Sequence, residues 1–233
     1  MNLTAIIVAG GSGKRFGASK PKQFLLLHKK PMFLWSILAF KKIKQCKQII
    51  LVVPKDKILK LQKYKRLYNI DIVCGGKERF NSVINGINSV KENIDIVAIH
   101  DAARPLVTPK IINDVLSKAN KYGCAIAACK AKDTIKFSIN GKYITNSVDR
   151  NKIWQAQTPQ IFKINFLKKM YLKKLSKAIT DDAQLAEKTN KKVYLVDTGY
   201  ENFKITHPMD FKLAETILKI RRLEDWKIRR MED

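Results

Sequence analysis

Several features that would assign a chain to a class at once are missing from these 233 residues. No apolar run approaches the roughly 18–20 residues of a membrane-spanning helix, and no secretory signal pattern is present. The sequence also has no internal repeat, no low-complexity linker and no clear domain boundary. We therefore expect a soluble, cytoplasmic protein with a single domain over residues 1–233 and no membrane partner.

The cysteine spacing of zinc sites is missing too. The four cysteines form no CxxC pair and are not spaced with histidines; they are Cys46, Cys74, Cys124 and Cys129. We expect reduced, mainly buried thiols, which suit a reducing cytoplasm, rather than a zinc site.

Acidic residues are scarce. The chain has 20 acidic residues against 46 basic ones, a formal net charge of +26. This charge favours anionic partners such as nucleotides, phosphorylated metabolites, nucleic acid or acidic lipid. The lysines are spread through almost every segment, however, and dispersed charge is typical of a solvated surface. The charge by itself therefore does not indicate a nucleic-acid-binding protein.

What the chain does have is a short apolar run at residues 3–8, followed by the glycine-rich, basic sequence GGSGKRFG and then PKQ. Glycines let a backbone approach a ligand closely, and successive N–H groups of such a loop can hold an anion. The first acidic residue of the chain is Asp56, so the loop offers donors and cations without a carboxylate. This arrangement predicts a polyphosphate site at the carboxyl end of the first strand of an α/β sheet.

Two familiar nucleotide motifs do not fit this loop. A Walker A loop needs Ser or Thr after its Gly-Lys pair, but Gly13 and Lys14 are followed by Arg15. A dinucleotide fingerprint needs a third glycine where this chain has Phe16. The loop alone is compatible with a phosphate site or a plain tight turn, and other segments are needed to decide between them.

Apolar strands alternate with helices as far as residue 129, which predicts a doubly wound, mainly parallel sheet. The predicted strands are 3–8, 49–53, 70–74, 94–99 and 124–129, and the predicted helices begin at Pro31, near Lys57, after Gly76 and at Pro109. The rhythm breaks where segments 134–138 and 142–145 alternate in polarity around Asn140-Gly141, a strong signal for a hairpin with a two-residue turn. We expect an edge hairpin or a projecting β-arm inserted over about 133–158, and a Rossmann-like, three-layer α/β fold with a mixed, mainly parallel sheet.

The last third of the chain is lysine-rich and mixed in pattern. We predict a helix at 163–175, a helix from an N-cap at Thr180 to residue 189, and strands at 192–196 and 202–205. A final helix is predicted to start at Thr206 and Pro208, and a charged tail follows at 221–233.

A set of short motifs follows the glycine loop in a definite order. They are GG at 75–76, HDAARP at 100–105, SVDRN at 147–151, WQAQTPQ at 154–160, TDDA at 180–183 and NFKIT at 202–206. Together, over residues 3–218, the motifs resemble those of the nucleotidyltransferases that activate phosphosugars and phosphopolyols. Within this group the chain looks most like the 2-C-methyl-D-erythritol 4-phosphate cytidylyltransferase family of the non-mevalonate route of isoprenoid biosynthesis.

The resemblance implies a reaction in which methylerythritol phosphate and CTP, with Mg²⁺, give CDP-methylerythritol and pyrophosphate. A phosphate oxygen of the substrate attacks the α-phosphorus of CTP, so the enzyme supplies positioning and charge stabilisation and no nucleophile. This agrees with the lack of a Ser/His/Asp arrangement in the sequence. The resemblance also implies a homodimer in which the β-arm reaches into the neighbouring subunit, where Arg150 and Thr158 complete the neighbour's substrate site.

The resemblance assigns roles residue by residue. The implied catalytic residues are Arg15, Lys22, Arg150 and Lys204, the first two stabilising charge on the phosphates and Arg150 acting across the dimer. The implied CTP contacts are Ala9, Gly10, Gly11, Gly13, Gly76 and Ser82, with Lys77 standing where the family often has an acidic residue. The implied substrate contacts are Asp101, Ala102, Arg104, Thr158 and Thr180. Asp101 is also the implied metal ligand, with Glu201 as a further candidate, and His100 is expected to be structural.

Other interpretations stay open at this point. Asp101 could be a turn aspartate, and Arg150 could form an ordinary ion pair within its own chain. A ribitol-5-phosphate cytidylyltransferase would share the glycine loop, PKQ and TPQ. A non-enzymatic, basic nucleic-acid-binding protein would use the positive charge, although no basic patch interleaved with aromatic residues is visible in the sequence.

Overall fold

The computed structural model of the chain describes residues 1–11, 21–172 and 181–232. Its central sheet has seven strands, which are β1 (Leu3–Val8), β4 (Cys46–Val53), β5 (Asp71–Cys74), β6 (Ile96–Asp101), β7 (Cys124–Lys130), β10 (Trp154–Lys163) and β11 (Tyr194–Asp197). Two small antiparallel pairs lie outside it, β2 (Leu26–Leu27) with β3 (Lys30–Pro31), and β8 (Ile135–Phe137) with β9 (Asn146–Val148).

The strand order in the central sheet is β11-β7-β10-β6-β1-β4-β5. Strand β10 runs antiparallel to its neighbours β6 and β7, and the remaining neighbours pair in parallel. The expected mixed, mainly parallel sheet is therefore confirmed.

Helices cover both faces of this sheet. The helices of the described residues are α1 (Met32–Lys41), α2 (Ile58–Tyr68), α3 (Arg79–Asn88), α4 (Pro109–Tyr122), α5 (Ile164–Leu172), α6 (Ala183–Glu187) and α7 (Pro208–Glu232). Buried side chains of α1, α2 and α4 form one core cluster with the sheet, and those of α3, α5 and α6 form another on the opposite face. The fold is thus a three-layer, Rossmann-like α/β arrangement, as the sequence predicts.

The first strand shows why a continuous apolar run folds this way. Successive side chains of a strand point to opposite faces, so Ala5 and Ile7 join one core cluster while Ile6 joins the other. Helix α3 comes very close to this strand, since a Cβ on Gly86 would lie 2.6 Å from Cγ2 of Ile6. A glycine is therefore needed at this helix–sheet contact.

Helix α7 packs at the edge of the molecule. Ala214 and Leu218 share a third core cluster with Leu27 and Ile205. The helix begins at Pro208 and runs to Glu232, so the segment predicted as a charged tail continues the helix. Among the helices that the structure describes, none combines the length and the apolar character needed to cross a membrane.

The predicted hairpin exists, and its first strand, β8, lies within the predicted 134–138, whereas its second strand, β9, follows the predicted 142–145. Phe137 pairs with Asn146, and residues 138–145 form a loop in place of a two-residue turn at Asn140-Gly141. The Asn140 side chain accepts hydrogen bonds from the backbone N–H groups of Lys142 and Tyr143, which closes a local turn and keeps 142–145 out of the ladder. The predicted strand at 142–145 is therefore wrong.

Two further predictions concern segments in the last third of the chain. Residues 202–205 do not form a strand: Asn202 donates to Gln157 of β10, and the N–H of Ile205 donates to the oxygen of Ala103 in the loop after β6. Thr180 lies outside the described residues, and the helix that follows it runs over Ala183–Glu187.

Candidate active site

A cavity of about 390 Å³ opens at the carboxyl ends of β1 and β6. These two strands are neighbours, and Val8 at the end of β1 is in register with Asp101 at the end of β6. Backbone of residues 9–11 forms one wall, the turn from Gly76 to Ser82 forms a second, and Asp101 and Lys204 lie opposite. Ligands of open α/β sheets bind at this edge, so the position agrees with a substrate site.

The wall next to β1 is held by Gln23. Its Nε2 donates to the backbone oxygens of Ala9, at 2.7 Å, and Gly11, at 2.8 Å. The N–H of Ala9 donates to the oxygen of Val52 at 2.8 Å. The backbone is thus fixed up to the point where the glycine loop begins, and Lys22 lines the same cavity. Gly13 and Arg15 of that loop lie outside the described residues.

The second wall is a tight turn ahead of α3. The N–H of Gly76 donates to Oγ of Ser82 at 3.0 Å, and Ser82 donates in turn to the oxygen of Glu78 at 3.1 Å. A Cβ on Gly76 would lie 2.2 Å from Cβ of Asn81, so a side chain does not fit there. Lys77 also lines the cavity and is exposed. This wall presents backbone groups and the side chains of Lys77, Glu78 and Ser82 to a ligand.

Asp101 is the centre of the opposite side. Its Oδ2 accepts from Nζ of Lys204 at 2.6 Å, and its Oδ1 accepts from Nε of Arg79 at 3.4 Å. Burial by itself would raise the pKa of the Asp101 carboxyl, but the charges of Arg79 and Lys204 outweigh it and hold this pKa well below its usual range. Asp101 is therefore a fixed, ionised carboxylate.

Arg79 is a member of the site that sequence reasoning missed. Its Nη2 donates to Oδ2 of the buried Asp182 at 2.7 Å, so it joins two carboxylates. Burial alone would lower the pKa of Arg79, and the charges of Asp182 and Asp101 raise it above the usual value instead. The Tyr171 hydroxyl also donates to Asp182. The sequence carries no local signal for this cluster, because Arg79 and Asp182 are 103 positions apart.

Behind Asp101 lies a buried chain of hydrogen bonds. Nε2 of His100 faces the oxygen of Arg104 at 3.2 Å and therefore carries the proton. Nδ1 then accepts from the hydroxyl of Thr158 at 3.1 Å, and that hydroxyl accepts from the N–H of Asp101 at 3.0 Å. Burial lowers the pKa of His100 to about 4, so the ring is neutral and has a structural role.

Comparison with known proteins identifies the family that shares this site. The family model described as 2-C-methyl-D-erythritol 4-phosphate cytidylyltransferase matches residues 3–220. The chain belongs to this cytidylyltransferase family.

Sequence relatives extend over nearly the whole chain. The 2-C-methyl-D-erythritol 4-phosphate cytidylyltransferase of Endomicrobium trichonymphae is 52% identical over 222 residues, which cover 94% of this chain and 100% of that protein. The protein of the same name from Clostridium botulinum strain Langeland is 40% identical, with 93% of this chain and 97% of that one covered.

Solved structures show the same fold. The 4-diphosphocytidyl-2C-methyl-D-erythritol synthase of Anaerococcus prevotii superimposes with a TM-score of 0.83 at 29% identity, covering 94% of this chain and 98% of that one. The cytidylyltransferase of Thermus thermophilus gives a TM-score of 0.77 at 27% identity, covering 94% of this chain and 100% of that one. This chain and the two solved structures thus share one fold over most of their length.

The structure brings together some of the residues that the family resemblance implies. The cavity is lined by Ala9, Gly10, Gly11, Lys22, Gly76, Ser82, Asp101 and Lys204. Among the described residues, three implied substrate contacts lie behind this lining and not in it. The N–H of Ala102 donates to Val8, Thr158 bonds to Asp101 and His100, and Arg104 donates to the oxygens of Asn202 and Ala156.

Two other implied residues lie away from the cavity of their own chain. The Glu201 carboxylate is 71% exposed and accepts from Arg221 at 2.8 Å. Arg150 is exposed beside the hairpin and donates to the oxygen of Lys132 at 3.0 Å, and the structure gives it no carboxylate partner among the described residues. The alternative of an intrachain ion pair for Arg150 thus finds no support in the described part of the chain.

Proposed function

We propose that this chain transfers the cytidylyl group of CTP to 2-C-methyl-D-erythritol 4-phosphate, giving CDP-methylerythritol and pyrophosphate in isoprenoid precursor synthesis. The observation that carries the proposal is the cavity itself. Backbone of residues 9–11 faces the paired side chains of Asp101 and Lys204 across it, in a member of this cytidylyltransferase family. One wall suits a nucleotide, and the other suits a charged, hydroxylated acceptor.

In the proposed reaction, a phosphate oxygen of the acceptor forms a bond to the α-phosphorus of CTP while the bond to the pyrophosphate oxygen breaks. No protein group has to act as nucleophile, because the attacking oxygen is already ionised. Lys22 and Arg15 are proposed to stabilise charge on the phosphates, one as a point charge and the other through a planar fork. Support for Lys22 comes from its position on the cavity wall.

The nucleotide is proposed to lie along the two backbone walls. Ala9, Gly10, Gly11 and Gly13 would contact the phosphates and ribose, and Gly76 and Ser82 would surround the cytosine. The Gly76–Ser82 hydrogen bond supports this, because it orders a turn that lines the cavity. Lys77 reaches the same wall, so it is a candidate for influencing which base is accepted.

The acceptor is proposed to lie against Asp101 and Lys204. Ala102, Arg104 and Thr158 would then act by holding Asp101 and its strand end in place, as their contacts indicate. Thr180 is proposed as a further acceptor contact in the segment before Asp182.

The proposed site offers Mg²⁺ the carboxylate of Asp101. Among the described residues no group of three or more His, Cys, Asp or Glu side chains could hold a metal, but Mg²⁺ often takes one or two carboxylates and completes its shell with phosphate oxygens and water. Asp101 lines the cavity and would be that carboxylate, with Glu201 a weaker candidate because it is exposed and lies outside the cavity lining. The ion would neutralise charge on the triphosphate.

We further propose that the protein is a homodimer in which the β8–β9 hairpin and Arg150 complete the site of the partner subunit. Four large apolar side chains of this arm are exposed, namely Phe137, Ile139, Tyr143 and Ile144, at 51%, 80%, 77% and 65%. An exposed apolar group of this size is typical of a protein interface. The reaction is proposed to occur in the cytoplasm, on one catalytic domain that spans the chain.

The decisive experiment is a pyrophosphate-release assay. CTP, ATP, GTP and UTP are each offered with methylerythritol phosphate and with ribitol 5-phosphate. We expect release with CTP and methylerythritol phosphate above all other pairs. Preference for ribitol phosphate would support the rival cytidylyltransferase, and salt-sensitive nucleic-acid binding without release would support the non-enzymatic alternative.

A further inference from the structure

Arg79 lies where three elements of the fold meet at the cavity. It is the first residue of α3, and its guanidinium reaches Asp101 at the end of β6 and Asp182 just before α6. The guanidinium lines the cavity but is directed at two carboxylates of its own chain. These contacts indicate that Arg79 positions carboxylates of its own chain.

Asp182 gives Arg79 a rigid anchor. The side chain of Asp182 is only 1% exposed, its second oxygen accepts from the Tyr171 hydroxyl, and its N–H donates to Oε1 of Gln160 at 3.0 Å. Phe80, next to Arg79, stacks on the ring of Tyr171 with centroids 4.9 Å apart. Asp182, which accepts from the far end of the guanidinium, is thus itself held by α5 and β10.

The charges in this cluster balance. The carboxylates of Asp101 and Asp182 are matched by the cations of Arg79 and Lys204. A guanidinium already shared between two carboxylates adds little net attraction for a phosphate. The attraction of the cavity for a polyphosphate must then come from other cations, such as Lys22 and the basic residues of the glycine loop.

We propose that Arg79 is a positioning residue that fixes the Asp101 carboxylate by tying it to the buried Asp182. The inference rests on the proposed function, because it assigns Arg79 a part in the cytidylyl transfer. The planar fork of an arginine can reach two carboxylates from different directions, whereas a lysine ammonium next to Asp182 cannot also reach Asp101 in the same geometry. Lys204 contacts Asp101 on its other oxygen, so the two cations together define the orientation of the carboxylate.

The test uses a pair of variants because Arg79→Gln alone leaves the buried Asp182 without a cation and can unfold the protein. Arg79→Gln with Asp182→Asn removes both charges together. We expect this double variant to fold with a thermal midpoint near that of the parent, to raise the KM for the phosphopolyol, and to lower kcat/KM about 100-fold, the scale of a misplaced reacting group. Arg79→Lys keeps a cation beside Asp182 and should show a similar loss. Arg66→Gln, an exposed arginine on α2, is the matched control and should change neither quantity.

A second comparison tests whether Arg79 acts through Asp101. In an Asp101→Asn background, the same Arg79 and Asp182 changes should alter kcat/KM by less than about threefold, because residues that act as a unit are not additive. A folded double variant or Arg79→Lys protein with parental KM and kcat/KM would overturn the inference. So would an equal 100-fold loss in the Asp101→Asn background. A parent chain without cytidylyl transfer would overturn the proposed function itself, and the inference with it.

Discussion

The cavity and the arm are built in opposite ways. The Asp101 side chain is 12% exposed, and both its oxygens accept hydrogen bonds from cations that come from α3 and from the segment before α7. Ile139 at the tip of the arm is 80% exposed, and the hydrogen bonds of the arm are local, such as that from Ser138 to the oxygen of Tyr143. The cavity is held by contacts between residues that are distant in sequence, and the arm is held by hydrogen bonds within its own turn.

The contrast between the cavity and the arm separates residues that are fixed within one chain from residues that are left exposed. At the cavity, Asp101 and the cations that contact it are paired within the same chain, so the position of the Asp101 carboxylate is defined by its own chain. The arm leaves apolar side chains in solvent, an exposure typical of an interaction surface. Four substitutions, with effects that we expect to decrease in size, test this contrast.

Lys22→Ala removes a cation from the cavity wall. We expect kcat to fall about 10²–10³-fold, or roughly 3–4 kcal/mol of transition-state stabilisation, as for the loss of one charge-stabilising donor. The measurement is steady-state pyrophosphate release. Lys42→Ala, an exposed lysine at the opposite end of the sheet, is the control, and near-normal turnover of Lys22→Ala would remove this residue from the mechanism.

The buried His100 behind the cavity should make stability depend on pH. Burial lowers its pKa to about 4 in the folded protein from an ordinary value of 6.5, so between these values the unfolded chain binds a proton that the folded chain does not. The free energy of unfolding should therefore fall as the pH falls through this window, by about 3 kcal/mol in total. Asp101, with its lowered pKa, adds to the loss only below its ordinary value of 3.8.

Urea unfolding of the parent and of His100→Gln at pH 7, 6, 5 and 4.5 measures this contribution. The variant should lack most of the fall, whereas His207→Gln, at an exposed histidine, should keep it. The same pH dependence in the parent and in His100→Gln would contradict the assignment.

Arg150 tests whether the arm acts in the partner's cavity. Arg150→Ala should lower kcat/KM about 10–100-fold, the effect of one lost hydrogen bond to a charged group. If the arm crosses the dimer, mixing Arg150→Ala and Arg15→Ala dimers should restore about a quarter of parental activity, because half of the dimers are hybrids with one intact site each. No recovery after confirmed subunit exchange would show that Arg150 acts within its own chain.

Substitution of an exposed apolar residue of the arm should have the smallest effect on the free energy of unfolding. Ile144→Ser should change the free energy of unfolding of the monomer by no more than about 0.5 kcal/mol, because the side chain is mostly in solvent. The same change should weaken dimerisation in sedimentation measurements. Leu59→Ser, at an 85% exposed position on α2, is the control and should affect neither quantity. An unchanged dimer would separate the arm from the interface.

Local patterns predicted the regular elements well. Helix α4 begins at the predicted Pro109, where Thr108 accepts the N–H of Ile111, and it ends before Gly123, which adopts a positive φ of 90°. The strands of the arm were predicted less well. The Asn140 side chain accepts hydrogen bonds from its own loop, and these bonds replace the two-residue turn that the Asn-Gly pair favours. Alternation in polarity does not reveal such bonds.

The three-layer α/β fold follows from the sequence, because each strand and helix depends on residues that are close along the chain. The polyphosphate site at the glycine loop stays a prediction. The motifs of the sequence also pointed to the family, and with it to Asp101 and Lys204. Only the tertiary structure decided that Arg79 joins Asp101 to Asp182, and that Arg104 and Thr158 lie behind the cavity. Those contacts depend on β10 entering the sheet antiparallel between β6 and β7, and on loops that meet across about 100 residues of chain. Charge pairing over such separations follows from strand order, which no local pattern encodes.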